Sequence, residues 1–179
     1  MGHSGVNLDR HSYFAMIRVM EVRDATVRDA DFLLDMLIEA CNWSGEQRMT
    51  RSDVGDDPQL RHYLSDWPRQ DDFGVVAIDR GAPVGAAWAR TFSAHDPGFG
   101  FVAPDVPELS MAVIAPQRGR GVGRRLLEAL LASARRRGWR ALSLSVEDGN
   151  QAAELYSTVG FETVGRNGNS TIMFLELVA

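Results

Sequence analysis

Apolar and polar positions along this chain change period several times, and each change marks an element. Ile17 to Arg23 alternates as a strand does, and Asp24-Ala25-Thr26 after it signals a helix start. Phe32, Leu33, Leu34, Leu37 and Ile38 recur at helical spacing, which predicts a helix over 30–40. The stretch 42–58 is polar and rich in turn formers, and a short helix is expected over 59–65. Residues 73–78 and 84–92 read as two strands around the turn Asp79-Arg80-Gly81-Ala82-Pro83, a hairpin. Residues 93–107, with three prolines and two glycines, form a long loop.

Beyond that loop, 109–114 is an apolar strand. Val122, Leu126, Leu130 and Ala134 then line one face of a long helix. Residues 140–146 alternate as a strand, and Asn150 caps a helix that ends at Gly160. Residues 161–164 and 171–178 close the chain as a pair of strands. The pattern is that of a mixed α/β fold. No repeat or linker divides it, so a single domain over 16–179 is expected, after a polar leader over 1–15.

Composition narrows the function classes. With 45% hydrophobic and 24% charged residues the chain is of ordinary globular type. A net charge of -5 argues against binding nucleic acid through bulk electrostatics. Cys41 is the only cysteine, which excludes an intrachain disulfide and a cysteine metal site. No apolar run reaches membrane-spanning length, and the first fifteen residues lack the pattern of a signal peptide, so no membrane partner and a cytoplasmic location are expected. The chain has no lysine, which removes both a Schiff-base site and the nucleotide P-loop.

The chemistry concentrates in Arg118-Gly119-Arg120-Gly121-Val122-Gly123, between the strand over 109–114 and the long helix. A glycine-rich turn opening a helix exposes unpaired backbone N–H groups, which bind anions and above all phosphates. Arg118, Arg120, Arg124 and Arg125 oppose the helix dipole unless an anion meets them, and that too points to a phosphate. A dinucleotide turn would need an acidic ribose ligand about 20 residues on; here Glu147 lies beyond the next strand.

Arg118, Gly121 and Gly123 resemble the first signature of the GNAT superfamily of acyl-CoA-dependent N-acetyltransferases, Gln/Arg-x-x-Gly-x-Gly/Ala. Asn150-x-x-Ala153-x-x-Tyr156-x-x-x-Gly160-Phe161 is similar to its second signature, at matching separation. The resemblance implies a mostly antiparallel sheet of about seven strands with about four helices and a splayed central strand pair. It implies acetyl-CoA as co-substrate, an amine acceptor of a small molecule or peptide, no metal, and a homodimer as an open question. Backbone from Arg118 through Gly119, Arg120, Gly121, Val122 and Gly123 to Arg124 would hold the coenzyme pyrophosphate, and Met111, Ala112, Val113 and Ile114 would pair with its pantetheine arm. Asn150 and Ala153 would reach the same arm, although Asn150 reads equally as a plain helix cap.

Acetyl transfer needs a neutral amine, a stabilised oxyanion and a protonated leaving thiolate. By resemblance Tyr156 is the acid, against its alternative as a core aromatic; the oxyanion would meet an N–H near Val113. Glu108 is the candidate base and Glu147 a second one; either reads as well as a solvated strand-end carboxylate. Acceptor specificity is expected from 42–57, Trp67, Trp88, Arg90 and the loop 93–107 with Phe99 and Phe101. The acidic residues Asp53, Asp56, Asp57, Asp66, Asp71 and Asp72 suit either a cationic acceptor or plain solvated surface. A non-catalytic acyl-CoA-binding domain is the alternative function.

Overall fold

Two apolar periods, two residues in the strands and about four in the helices, bury against each other on both faces of one twisted sheet. A computed structural model describes residues 20–177. The strands are β1 (Glu21–Asp24), β2 (Phe73–Asp79), β3 (Ala82–Arg90), β4 (Glu108–Val113), β5 (Ala141–Glu147), β6 (Glu162–Asn167) and β7 (Ser170–Glu176). The helices are α1 (Ala30–Cys41), α2 (Arg51–Asp56), α3 (Pro58–Arg61), α4 (Val122–Arg136) and α5 (Ala152–Thr158). The seven strands form one sheet in the order β1-β2-β3-β4-β5-β7-β6. All neighbours are antiparallel except β4 and β5.

The parallel pair positions the site. β4 and β5 meet at a single register pair, Glu108↔Ser143, supported by the Ser143 N–H donating to the Pro107 carbonyl at 3.0 Å. Beyond that point they diverge, so each presents an unpaired edge to the gap. This is the splayed pair that the resemblance implied.

Alternation divides the core. Val75, Ala77, Ala87, Ala89 and Leu109 pack with α4 on one face, where Val122, Leu126, Leu130 and Ala134 are almost fully buried. Val76, Ala86, Trp88 and Ala112 face α1, α2 and α3 on the other. Arg90, on the Trp88 side, is buried and held by Asp72 through Nε and Nη2, with Nη1 donating to the His62 carbonyl at 2.6 Å. A buried guanidinium persists only when paired and hydrogen-bonded, and here each of its three nitrogens has a partner.

Several boundaries differ from the sequence pattern. The segment expected as turns over 42–58 contains α2, because Thr50 and Asp53 form a reciprocal capping box and Val54 is buried. The next helix starts earlier and is shorter than 59–65: Asp57 caps it and Pro58 occupies its first turn. β4 begins at Glu108, not after it, which puts that carboxylate inside the sheet. β1 covers only the end of the expected 17–23 strand. Residues 17–19, the proposed leader and Val178 lie outside the described residues.

Candidate active site

One cleft of about 1040 Å³ occupies the gap between β4 and β5 and continues under α1. It joins the turn before α4 to a buried carboxylate at the start of β4.

At the turn, Gly119 and Gly121 have φ of +71° and +81°, a left-handed conformation costly for any residue with a Cβ. They turn the chain so that the N–H groups from Gly119 to Arg124 have no backbone acceptor among the described residues. The walls include Gly119, Gly121, Gly123, Arg124, Met111, Ala112 and Val113, as the sequence anticipated. Ile114, Arg120 and Ala153 do not line the cleft, and the Val122 side chain is buried in the core beneath α4.

The arginine cluster is arranged differently from the expectation that it awaits an anion. Arg118 donates from Nε to the Val113 carbonyl (3.0 Å), from Nη1 to the Trp43 carbonyl (2.9 Å) and from Nη2 to Glu39 (2.9 Å). Arg124 bonds the Thr158 hydroxyl at 3.0 Å, and Arg125 reaches the Met20 carbonyl. Arg118 thus fastens the turn to the end of α1, while Arg120 is exposed and has no side-chain partner among the described residues.

Across the gap, Asn150 accepts the Ala152 N–H on Oδ1 at 2.9 Å. The N-cap is Gln151, so Asn150 sits one residue before it; it lines the cleft, and its Nδ2 has no hydrogen bond among the described residues. Tyr156 lines the same cleft. Its ring packs edge-on against Phe161 at 5.8 Å, and its hydroxyl has no hydrogen bond among the described residues. Burial raises the phenol above its ordinary value of 10, so it stays protonated at neutral pH.

Glu108 is 3% exposed. Tyr63 donates its hydroxyl to Oε1 at 2.7 Å and accepts the Phe99 N–H at 2.7 Å, which pins the loop 93–107 beside the carboxylate. Oε2 has no partner in hydrogen-bonding geometry among the described residues. A Cβ on Gly98 would overlap it, so only glycine leaves that oxygen room. Burial pushes Glu108 up to about 7, against the Tyr63 hydroxyl and the nearby Gly100 N–H, which favour the charged form. Nothing in the sequence pattern singles out Tyr63; only the fold brings it to Glu108.

Glu147 has the opposite environment. Arg48 grips both of its oxygens at 2.9 and 2.7 Å, Trp43 donates to Oε2 through its indole N–H, and Asn169 donates to Oε1 at 2.8 Å. The Arg48 and Trp43 bonds hold it at about 2, so it is a poor proton acceptor. Both oxygens of Glu147, expected as a second base, are thus occupied, and the residue tethers the 42–50 loop and the β6–β7 turn to β5.

Of the acceptor-side expectations, the 42–57 segment contributes Trp43, Ser44 and Arg48, and the long loop contributes Phe99. Trp88, Arg90 and Trp67 are buried away from the cleft, and Phe101 packs against the α1 side of the core. Asp53 and Asp57 cap helices, Asp56 accepts the Ser52 hydroxyl and Asp72 holds Arg90, so four of the six acidic residues have a structural partner. Among the described residues no group of three His, Cys, Asp or Glu could hold a metal ion, and no helix is long and apolar enough to cross a membrane.

Residues 37–161, more than half of the chain, match the acetyltransferase (GNAT) family. No curated protein matches the sequence. Among solved structures, ribosomal-protein-alanine N-acetyltransferase from Brucella melitensis is similar at 28% identity and TM-score 0.63, covering 88% of this chain and 99% of its own. PaiA N-acetyltransferase from Thermoplasma acidophilum, in complex with coenzyme A, aligns at 15% identity and TM-score 0.62, covering 88% and 99%. The yncA protein of Salmonella typhimurium, solved with its cofactor acetyl-CoA, aligns at 24% identity and TM-score 0.64, covering 90% and 95%. With a seven-stranded sheet splayed between β4 and β5 and a glycine turn at the head of α4, the chain belongs to the acetyltransferase (GNAT) family.

Proposed function

We propose that the protein transfers an acetyl group from acetyl-CoA to a primary amine bound beside Glu108. The observation that carries this reading is the arrangement of one cleft. A turn with unpaired N–H groups lies at one end, the buried carboxyl of Glu108 at the other, and Tyr156, whose hydroxyl has no hydrogen bond among the described residues, on the wall between.

The residues fit the coenzyme. The unpaired N–H groups from Gly119 to Arg124 suit a pyrophosphate, and the open β4 edge at Met111–Val113 suits the amides of a pantetheine arm. Acetyl-CoA supplies the activated acyl group. Glu108 takes the proton from the incoming ammonium through water, because Tyr63 occupies Oε1 and Oε2 is shielded against Gly98; a base titrating near 7 suits operation at neutral pH. Tyr156 would supply the proton that the leaving thiolate needs.

Release of free thiol from acetyl-CoA across a panel of amines tests the reading. Binding of acetyl-CoA without thiol release for any amine would support a non-catalytic binder instead.

Two variants probe the parts. Gly123→Ala is expected to stabilise the free protein slightly, because alanine is the better helix former and its Cβ meets only ordinary contact with Leu155 at 3.4 Å. The same methyl intrudes where a phosphate would approach the backbone, so acetyl-CoA affinity falls about tenfold. Thermal unfolding and titration calorimetry read the two effects in opposite directions. Tyr63→Phe removes a hydrogen bond that favours the Glu108 carboxylate. The acidic limb of the pH–kcat/KM profile is therefore expected to move upward from about 7.

A further inference from the structure

Charge accounting along the cleft constrains the acceptor. Six ionisable acidic or basic side chains line it: Glu39, Arg48, Glu108, Arg118, Arg124 and Glu147. Glu39 is paired with Arg118 at 2.9 Å, and Arg48 with Glu147 at 2.7 Å. Arg124, at the coenzyme turn, lies 3.9 Å from Glu128 on its own helix. Glu108 alone has no ionic partner among the described residues, and Tyr63 occupies one of its two oxygens. Around it the wall is apolar or aromatic: Leu37, Ala40 and Cys41 from α1, then Leu60, Tyr63 and Phe99. The Tyr63 and Phe99 rings stack with centroids 6.0 Å apart.

We infer that the acceptor is a small primary monoamine on an apolar or aromatic body, carrying neither a carboxylate nor a second ammonium near the reacting nitrogen. Resting on the transferase reading above, the inference follows from which charges the cleft can satisfy. The single ammonium meets Glu108. A carboxylate on the same molecule would find Arg48 and Arg118 already neutralised and would face Glu108 itself. A second ammonium would have no free anion to meet, because Glu39 and Glu147 are both spent. Bringing an unpaired charge into a partly desolvated pocket costs enough to discriminate strongly. The body of the acceptor, by contrast, gains by covering the Tyr63–Phe99 wall.

The test compares matched acceptors by thiol release: 2-phenylethylamine, phenylalaninamide and phenylalanine for the carboxylate, butylamine and putrescine for the second ammonium, and a free tetrapeptide. The expected order places phenylethylamine first. Phenylalanine falls about 100-fold below its amide in kcat/KM, and putrescine falls well below butylamine. Both comparisons are ratios between acceptors on the same enzyme, so they do not depend on how much of the protein is active. Phenylalanine, putrescine or the tetrapeptide as preferred acceptor overturns the inference while leaving the transferase reading intact, and so does a phenylalanine to phenylalaninamide ratio near one. Absence of thiol release from every acceptor, with acetyl-CoA binding retained in calorimetry, overturns both.

Discussion

Glu108→Gln is expected to lower kcat by about 10²–10⁴-fold, the usual contribution of a positioned general base, while making the folded protein more stable at pH 8. The two effects share one cause. Burial raises the Glu108 carboxyl from its ordinary 4.5 to about 7. Between those values the unfolded chain has released the proton and the folded chain still holds it. The folded state therefore binds more protons, and stability falls as pH rises through this window, then levels off above about 7. Glutamine carries no charge to desolvate, so at pH 8 it is expected to recover on the order of 1–3 kcal/mol. The unfolding temperatures of variant and wild type should converge below about pH 4, where the carboxyl is protonated in both states. If the variant retains wild-type kcat, the base assignment fails. A stability difference that does not change with pH contradicts the desolvation argument separately.

Tyr156→Phe is expected to reduce kcat by about 10²-fold or more while leaving acetyl-CoA affinity within about twofold. The hydroxyl has no hydrogen bond among the described residues, and the ring contact with Phe161 persists in phenylalanine, so the substitution strands no partner and opens no cavity. The effect should fall on turnover alone. Thiol release under saturating substrate, alongside calorimetric titration of the coenzyme, separates the two quantities. Full turnover in the variant would return Tyr156 to a packing role.

How far the site was legible in the sequence differs from residue to residue. The glycine turn was legible because it depends on local geometry: positive φ at Gly119 and Gly121 requires residues without a Cβ, and a strand before and a helix after are written in the apolar period. Tyr156 was named only through the resemblance, since spacing alone cannot tell a core aromatic from an acid. Glu108 and Glu147 look alike in sequence, each at the end of a strand. Their neighbours come from 45 and 99 residues away, and those surroundings leave one a buried carboxyl raised toward neutrality and the other a clamped anion. Arg118 was read as a phosphate ligand because its partners Glu39 and Trp43 lie more than 70 residues upstream.

By itself the sequence determined the order of the seven strands and of the long helices, the face of α4 that is buried, the glycine turn at its head and, through resemblance, the family. Each rests on interactions within about a turn or a hairpin, or on a motif. Tertiary structure decided which carboxylate can accept a proton, which arginines remain available and which residues wall the acceptor. Those properties depend on desolvation and on charge partners brought together across the sheet, and neither is written in any local stretch of chain.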